Sequence, residues 1–249
     1  MEVAKGALAI MGGPRYPNQQ LRSVSLETHF PGELRALSAF GEVQDAVRSS
    51  LPNLFVPNVQ AGEAPALRPF QLRNADQSRS LALAVNQVTY VSFSYPGYDS
   101  FAVEAVPAVS AALTAIKPPQ LNRVVYRYEN ELLLAEGGDG SLGVERIFPA
   151  IVPRVFAEGA LSGPAKALNA SFEHAWQGDG LKGVRGFSAR ADGTGAATVF
   201  RITVFGAVEG CGVGDLQRAT AAAHRAGIEL FEALISPSFR DFISSNNKE

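Results

Sequence analysis

The chain has 249 residues, 46% apolar and 18% charged, with 24 Gly and 15 Pro; these values exclude disorder, collagen and coiled coil and allow one large core or two small ones. A formal charge of −2 exerts no pull on a phosphate backbone, so nucleic acid is not an expected partner. The single cysteine, Cys211, closes no internal disulfide and builds no thiolate metal site, which fits a reducing, cytoplasmic setting.

Residues 1–18 read as an N-terminal tail: the apolar patch Ala7 to Met11 is too small for a signal-peptide core and follows an acidic Glu2. No uninterrupted apolar run approaches the ~18–20 residues of a membrane helix, so no membrane association is expected. Arg22 to Phe30 alternates, with Val24, Leu26 and Thr28 on one side and Ser23, Ser25 and Glu27 on the other, the period of a half-buried strand. Past Pro31-Gly32, Leu34, Leu37, Phe40, Val43 and Val47 recur at helical spacing to about Ser50. Pro52, Pro57, Gly62, Pro65 and Pro69 make the next stretch a loop. Phe70 to Asn74 and Leu81 to Ser94 are rich in strand formers.

After Pro96-Gly97, with Asp99 or Ser100 as the expected cap, Phe101 to Ile116 predicts a helix whose one charge is Glu104. Such a helix calls for shielding on both sides, by its own chain or by another subunit, which marks Phe101, Val103, Val106, Val109 and Leu113 as candidate assembly residues. Pro107 predicts a kink within it. Leu121 to Leu134 is a long strand with Val124, Tyr126 and Tyr128 on one face and Arg123, Arg127, Glu129 and Glu131 on the other.

The order βαββαβ over residues 19–135 matches a split-βαβ, ferredoxin-like unit. A Gly-rich hinge follows at 136–143. The remaining half, 144–249, predicts a meander of three strands (Ala167 to Trp176, Val184 to Arg190, Ala197 to Val208) with a hairpin turn at 191–195. A long helix capped by Asp215 and ending at Ser236-Pro237 closes it, with Leu216, Ala219, Ala223, Leu230 and Leu234 on one face, before a fraying end from Ser244. The fold class is therefore α+β: a ferredoxin-like half, an antiparallel meander and a long C-terminal helix.

Several stretches resemble a sporadically distributed bacterial family of uncharacterised, conserved hypothetical proteins of about this length. They are Tyr16-Pro17-Asn18 ahead of the Glu27–Phe30 strand, Leu81 to Asn86 before the turn Tyr95-Pro96-Gly97-Tyr98, the Arg-Tyr-x-Asn strand motif Arg127-Tyr128-Glu129-Asn130, and a closing helix with His224, Phe231 and Leu234-Ile235. The chain departs from the family pattern at Gln19-Gln20, where a Pro-rich step is the rule. The resemblance implies a shared α+β body and brings no catalytic residues.

Cys211 lies in Glu209-Gly210-Cys211-Gly212-Val213-Gly214, between a strand and a helix start, and is the best nucleophile candidate. A general base must come from His29, His174 or His224, and His224 stands ~13 Å along the helix from its start. The glycines form G-x-G-x-G, the wrong spacing for a dinucleotide loop, and Asp215 opposes a phosphate there. His174 alternates in phase with Phe172 and Trp176, the position of a core histidine. No His/Asp/Glu pair has helical zinc-site spacing, and no G-x-S-x-G elbow surrounds Ser162; no metal, cofactor or catalytic set is assigned.

Arg123, Arg127 and Glu129, with Asn130 beginning the opposite set, are the candidate ligand- or partner-binding residues: either a cross-strand ion-pair ladder or a grip on a carboxylate or phosphate. Arg185 and Arg201 join them if the later strands align. The expectation is a non-catalytic cytoplasmic protein that recognises or assembles with a protein partner, self-association included. The alternatives are a protein that binds a small anionic ligand and a cysteine-dependent hydrolase.

Overall fold

The computed structural model describes residues 21–55, 70–95, 97–135, 167–194 and 197–244. The expected tail at 1–18, the hinge at 136–143, Ser162, most of the Pro-rich loop and the last five residues lie outside them. Chain order runs β1 (Leu21–His29), α1 (Arg35–Ser38), α2 (Phe40–Val47), β2 (Asn53–Phe55), β3 (Phe70–Arg73), β4 (Arg79–Ala84), β5 (Gln87–Ser92), α3 (Tyr98–Ile116), β6 (Leu121–Ala135), β7 (Ala167–Gly178), β8 (Leu181–Thr194), β9 (Ala197–Cys211), a 3₁₀ turn (Val213–Asp215), α4 (Leu216–Leu234) and α5 (Pro237–Ser244). The class is mixed α and β, with one large antiparallel sheet and a C-terminal helical end.

All nine described strands join one sheet in the order β2-β3-β4-β5-β1-β6-β9-β8-β7, every neighbouring pair antiparallel. Alternation dictates its faces. Val24, Leu26 and Thr28 of β1 lie opposite Tyr128, Tyr126 and Val124 of β6 and share one face with them; all are buried. α3 packs on β5, β1 and β4, α4 on β9, β6 and β8, and the two helices touch. The core lies between these helices and that face, and β6 pairs with β9 from Leu121 to Ala135, so the earlier and later strands share one hydrogen-bonded sheet.

Local details depart from the pattern reading for identifiable reasons. The helix expected from Leu34 to Ser50 is broken at Ala39. Its inward side uses Ala36 and Ala39 while Leu34 is 79% exposed; small residues let α1 lie close to α3. Arg35 Nε donates to the Ala115 carbonyl at 2.8 Å, satisfying one of the last acceptors of α3. The run Leu81 to Ser94 folds back on itself, Ala84 facing Gln87, and the turn is fastened by Phe30 and Glu33 N–H groups on the Asn86 and Val85 carbonyls.

α3 starts earlier than expected, at Tyr98 after Gly97 with φ 115°, so Asp99 and Ser100 fall in its first turn and no side chain caps it. It ends on left-handed Lys117, whose N–H bonds the Leu113 carbonyl. The helix has the length and composition of a membrane span, although polar residues interrupt its apolar run. Its inner side, from Tyr98 to Ile116, is covered by the chain's own core. The outer side is not shielded: Val103 is 73% exposed.

Ser236-Pro237, read as a helix end, also starts a helix. The Ser236 hydroxyl accepts from the Phe239 N–H at 3.1 Å, and proline occupies the first helical position of α5, where a missing N–H costs nothing. Asp215 precedes α4 without a capping bond and pairs with Arg218 at 3.2 Å.

α4 approaches the sheet backbone-to-backbone. A Cβ on Gly206 would stand 1.9 Å from the Ala223 carbonyl oxygen and 2.8 Å from the Gly227 nitrogen. Gly206→Ala must therefore displace α4, at a cost of about 1–3 kcal/mol or more, seen as a lowered denaturant midpoint. Gly214→Ala, which meets nothing within 4 Å, is the control that leaves this midpoint nearly unchanged.

Candidate functional site

Two groups of chemically capable side chains flank the central strands. On the face away from the helices, Ser23, Ser25, Glu27 and His29 project from β1, Arg123, Arg127 and Glu129 from β6, and Phe205 from β9 opposite Arg127. Arg127 stands opposite Ser25 and Glu27 opposite Val125, so their ion pair runs diagonally across the ladder. Arg127 Nε donates to Glu27 Oε1 at 2.6 Å and its Nη2 donates to Oε2 at 3.2 Å, a two-point grip. Ser25 donates to the same carboxylate at 3.0 Å, and His29 Nε2 lies 3.5 Å from it. Burial pushes the Glu27 carboxyl up, but the hydrogen bonds from His29, Arg127 and Ser25 and the Arg127 charge outweigh it and hold its pKa at about 2.

The rest of this face is mostly paired. Ser23 donates to Glu129 at 3.0 Å. Glu131 accepts from Arg22 and from Arg201, the latter at 3.1 Å. Arg123 and Arg127 lie over the Phe205 ring, 5.4 and 5.5 Å from its centroid. The ring crosses Gly186, where a Cβ would stand 2.4 Å from it. Arg123 is held less firmly: its ion partner Glu173 is 3.9 Å away, and its buried Nε has no hydrogen-bond partner.

Of the expected set, Arg123, Arg127 and Glu129 thus come together, Arg201 joins them, and Asn130 faces the helix side opposite Ile202. Arg185 does not join: it lies on the helix side and pairs with Glu229 of α4 at 3.2 Å. Glu27, Ser25 and Phe205 were not singled out. For Glu27 and Ser25 the signal lies in the polar side of β1, and for Phe205 there is none, because only the register shows which arginine each one meets.

The second group is buried. Tyr95 ahead of α3, Tyr98 and Phe101 of α3, Tyr126 and Tyr128 of β6 and His224 of α4 form one aromatic cluster between these helices and the sheet. The His224 ring stacks on Tyr98, centroids 4.0 Å apart and planes 10° from parallel. His224 Nδ1 shares a hydrogen bond with the Tyr128 hydroxyl, and Tyr126 donates to the Tyr95 hydroxyl at 3.4 Å. Burial, with Arg225 adding to it, drives the imidazole pKa down to about 4, while burial raises Tyr126 and Tyr128 well above the usual phenol range. These groups stay neutral near pH 7. The cluster joins Tyr95 and Tyr98, the β6 tyrosines and His224 of the closing helix, residues distant in sequence.

Cys211 is 7% exposed, and burial, reinforced by the Asp215 charge, pushes its thiol up; the helix start does not activate it. His174 is exposed on β7, which corrects its reading as a core histidine: β7 is the outermost described strand, beyond the cover of α4. Of the assembly candidates, Phe101, Val109 and Leu113 are buried in the chain's own core, Val106 is half-buried and Val103 exposed. Among the described residues no group of three His, Cys, Asp or Glu could hold a metal ion. Comparison with family models, curated proteins and solved structures gives no match.

His224 makes stability pH-dependent. Its folded pKa is depressed, so between pH 6.5 and about 4 the unfolded chain binds a proton that the folded chain excludes. Stability should fall by roughly 3 kcal/mol as pH drops through that window. Glu27, depressed from 4.5 to about 2, adds a second loss only below about pH 4.5. Urea midpoints from pH 7 to pH 4 should show the first phase in the native chain and lose it in His224→Gln.

Proposed function

We propose that this is a non-catalytic cytoplasmic protein that recognises or assembles with a protein partner, self-association included, and that it uses no metal, cofactor, membrane or nucleic acid. One observation carries the reading: α3 turns Val103, 73% exposed, outward beside half-buried Val106 and exposed Pro107, an apolar stripe on a helix with two charges, Asp99 and Glu104. Glu104 is occupied by Arg79 at 3.0 Å and by Tyr90 at 3.2 Å. The chemistry-bearing groups favour a binding role. Glu27 holds no proton to give at neutral pH, Cys211 is kept protonated, and His224 is buried against Tyr128 and Tyr98.

The same proposal takes β1, α1 with α2, β4, β5, α3 and β6 as the ferredoxin-like unit, with β2 and β3 as an added edge hairpin. The order β4-β5-β1-β6 is that of a split βαβ and supports it. It also keeps the likeness to the uncharacterised bacterial family; Tyr95, Tyr98, Tyr128 and His224, which lie in three of the resembling stretches, share the aromatic cluster. A second reading, an anionic ligand at the polar face, is favoured by Arg123, whose unpartnered Nε and distant carboxylate leave donor capacity over the Phe205 ring.

Light scattering over a concentration series tests the first reading. The native chain should form species heavier than one chain, and Val103→Glu should shift them to lower mass with a stability change within about 0.5 kcal/mol, as expected for an exposed site. An unchanged mass distribution in Val103→Glu overturns the α3 contact. Val109→Glu, at a fully buried position, should instead unfold the protein.

A further inference from the structure

The two ends of the described sheet differ. At one, β2 has three residues, the short edge that soluble proteins use to prevent pairing. At the other, β7 runs for 12 residues, ALNASFEHAWQG, with no proline, no lysine and one charge, Glu173. Its ladder to β8 runs from Ala167 opposite Asp192 to Gly178 opposite Leu181 without a bulge. Ser171, Glu173, His174, Ala175, Gln177 and Gly178 are all exposed. A long, regular edge with a single charge is a template for another strand.

The side chains select the strand. Phe172, His174 and Trp176 share one face, with the aromatic residues spaced symmetrically about the histidine. In an antiparallel pair of identical strands, residues equally distant from the two-fold axis stand opposite each other on the same face. Centring the axis on His174 sets Phe172 of one copy against Trp176 of the other, twice, with the two histidines at the axis. Aromatic cross-strand pairs are among the stabilising ones. On the reverse face Glu173 meets Ala175, and each carboxylate keeps its own Arg123 at 3.9 Å. Centring one residue earlier opposes the two Glu173 carboxylates; centring one later leaves Phe172 facing Gly178 and loses the aromatic pair.

Both rings are poised for this contact. Phe172 is half-buried and stacks on Phe187, 5.7 Å between centroids. Trp176 is half-buried against the core. Each is fixed from behind while part of its surface remains open, so little ordering is required on pairing.

We propose that the β7 edge is a self-pairing surface, joining two copies of this chain antiparallel about His174 into one continuous sheet. This rests on the reading of the protein as one that assembles, but uses a surface separate from α3. The test combines His174→Asp, which opposes two carboxylates at the axis, with His174→Cys in a Cys211→Ser background. Sedimentation should show a two-chain species that persists in Val103→Glu, and His174→Asp should weaken it at least about fivefold with the melting temperature retained. Under mild oxidation His174→Cys should form a covalent dimer, while Gln177→Cys, which faces Ser171 in this register, should not. The crosslink also tests the register should His174→Asp fold poorly.

A two-chain species unaffected by His174→Asp overturns the proposal, as does equal crosslinking from both cysteine positions. Loss of assembly in Val103→Glu alone sinks the β7 pairing and leaves the α3 reading standing. A chain that stays single at every concentration, or that pairs β7 only with an extended peptide from another protein, refutes self-pairing.

Discussion

The structure depends on a division of labour within one strand. β6 is 15 residues long, pairs with β1 on one side and β9 on the other, and gives its two faces opposite chemistries. Val124, Tyr126 and Tyr128 form the floor on which α3 and α4 rest, while Arg123, Arg127 and Glu129 on the reverse compose the polar face. A one-residue slip of this strand would turn the arginines into the core and the tyrosines outward. Register is therefore what joins the hydrophobic layer to the charged one.

The parts of this arrangement that follow from local alternation were legible in the sequence. β1 and β6 announce themselves by the contrast between Val24, Leu26 and Ser23, Ser25, and between Tyr126, Tyr128 and Arg123, Arg127. The closing helix is equally plain, because its apolar spacing is unbroken from Leu216 to Leu234. What was not legible depends on neighbours. Glu27 is an ordinary polar residue of a strand until the register sets it diagonal to Arg127. His174 reads as a core residue by phase, but phase cannot say that its strand stands at the rim of the sheet. The break at Ala39 and the cap role of Ser236 turn on single residues whose meaning changes with what packs beside them.

The candidate site shows how pairing alters capability. A histidine, a cysteine and a glutamate are the usual materials of acid–base and nucleophilic chemistry, and all three are present. Each is held in the state least suited to it: the Glu27 carboxyl deprotonated by its donors, the Cys211 thiol protonated by burial, the His224 ring neutral between tyrosines. On the polar face Arg123 keeps a donor to spare, and exposed Val103 lies elsewhere, on α3.

The pairing of β1 with β6 brings residues about 100 positions apart into contact, as Arg127 and Glu27 do. During synthesis β1 emerges first, yet one of its partners, β5, arrives only at Gln87 and the other at Leu121. β6 in turn presents a bare hydrogen-bonding margin until β9 is complete at Cys211. Folding of this kind is governed by loop closure and is slow, and the waiting margins are adhesive. The nascent chain thus spends much of its elongation with its central seam open, an interval in which chaperone protection matters more than for a protein built from local hairpins.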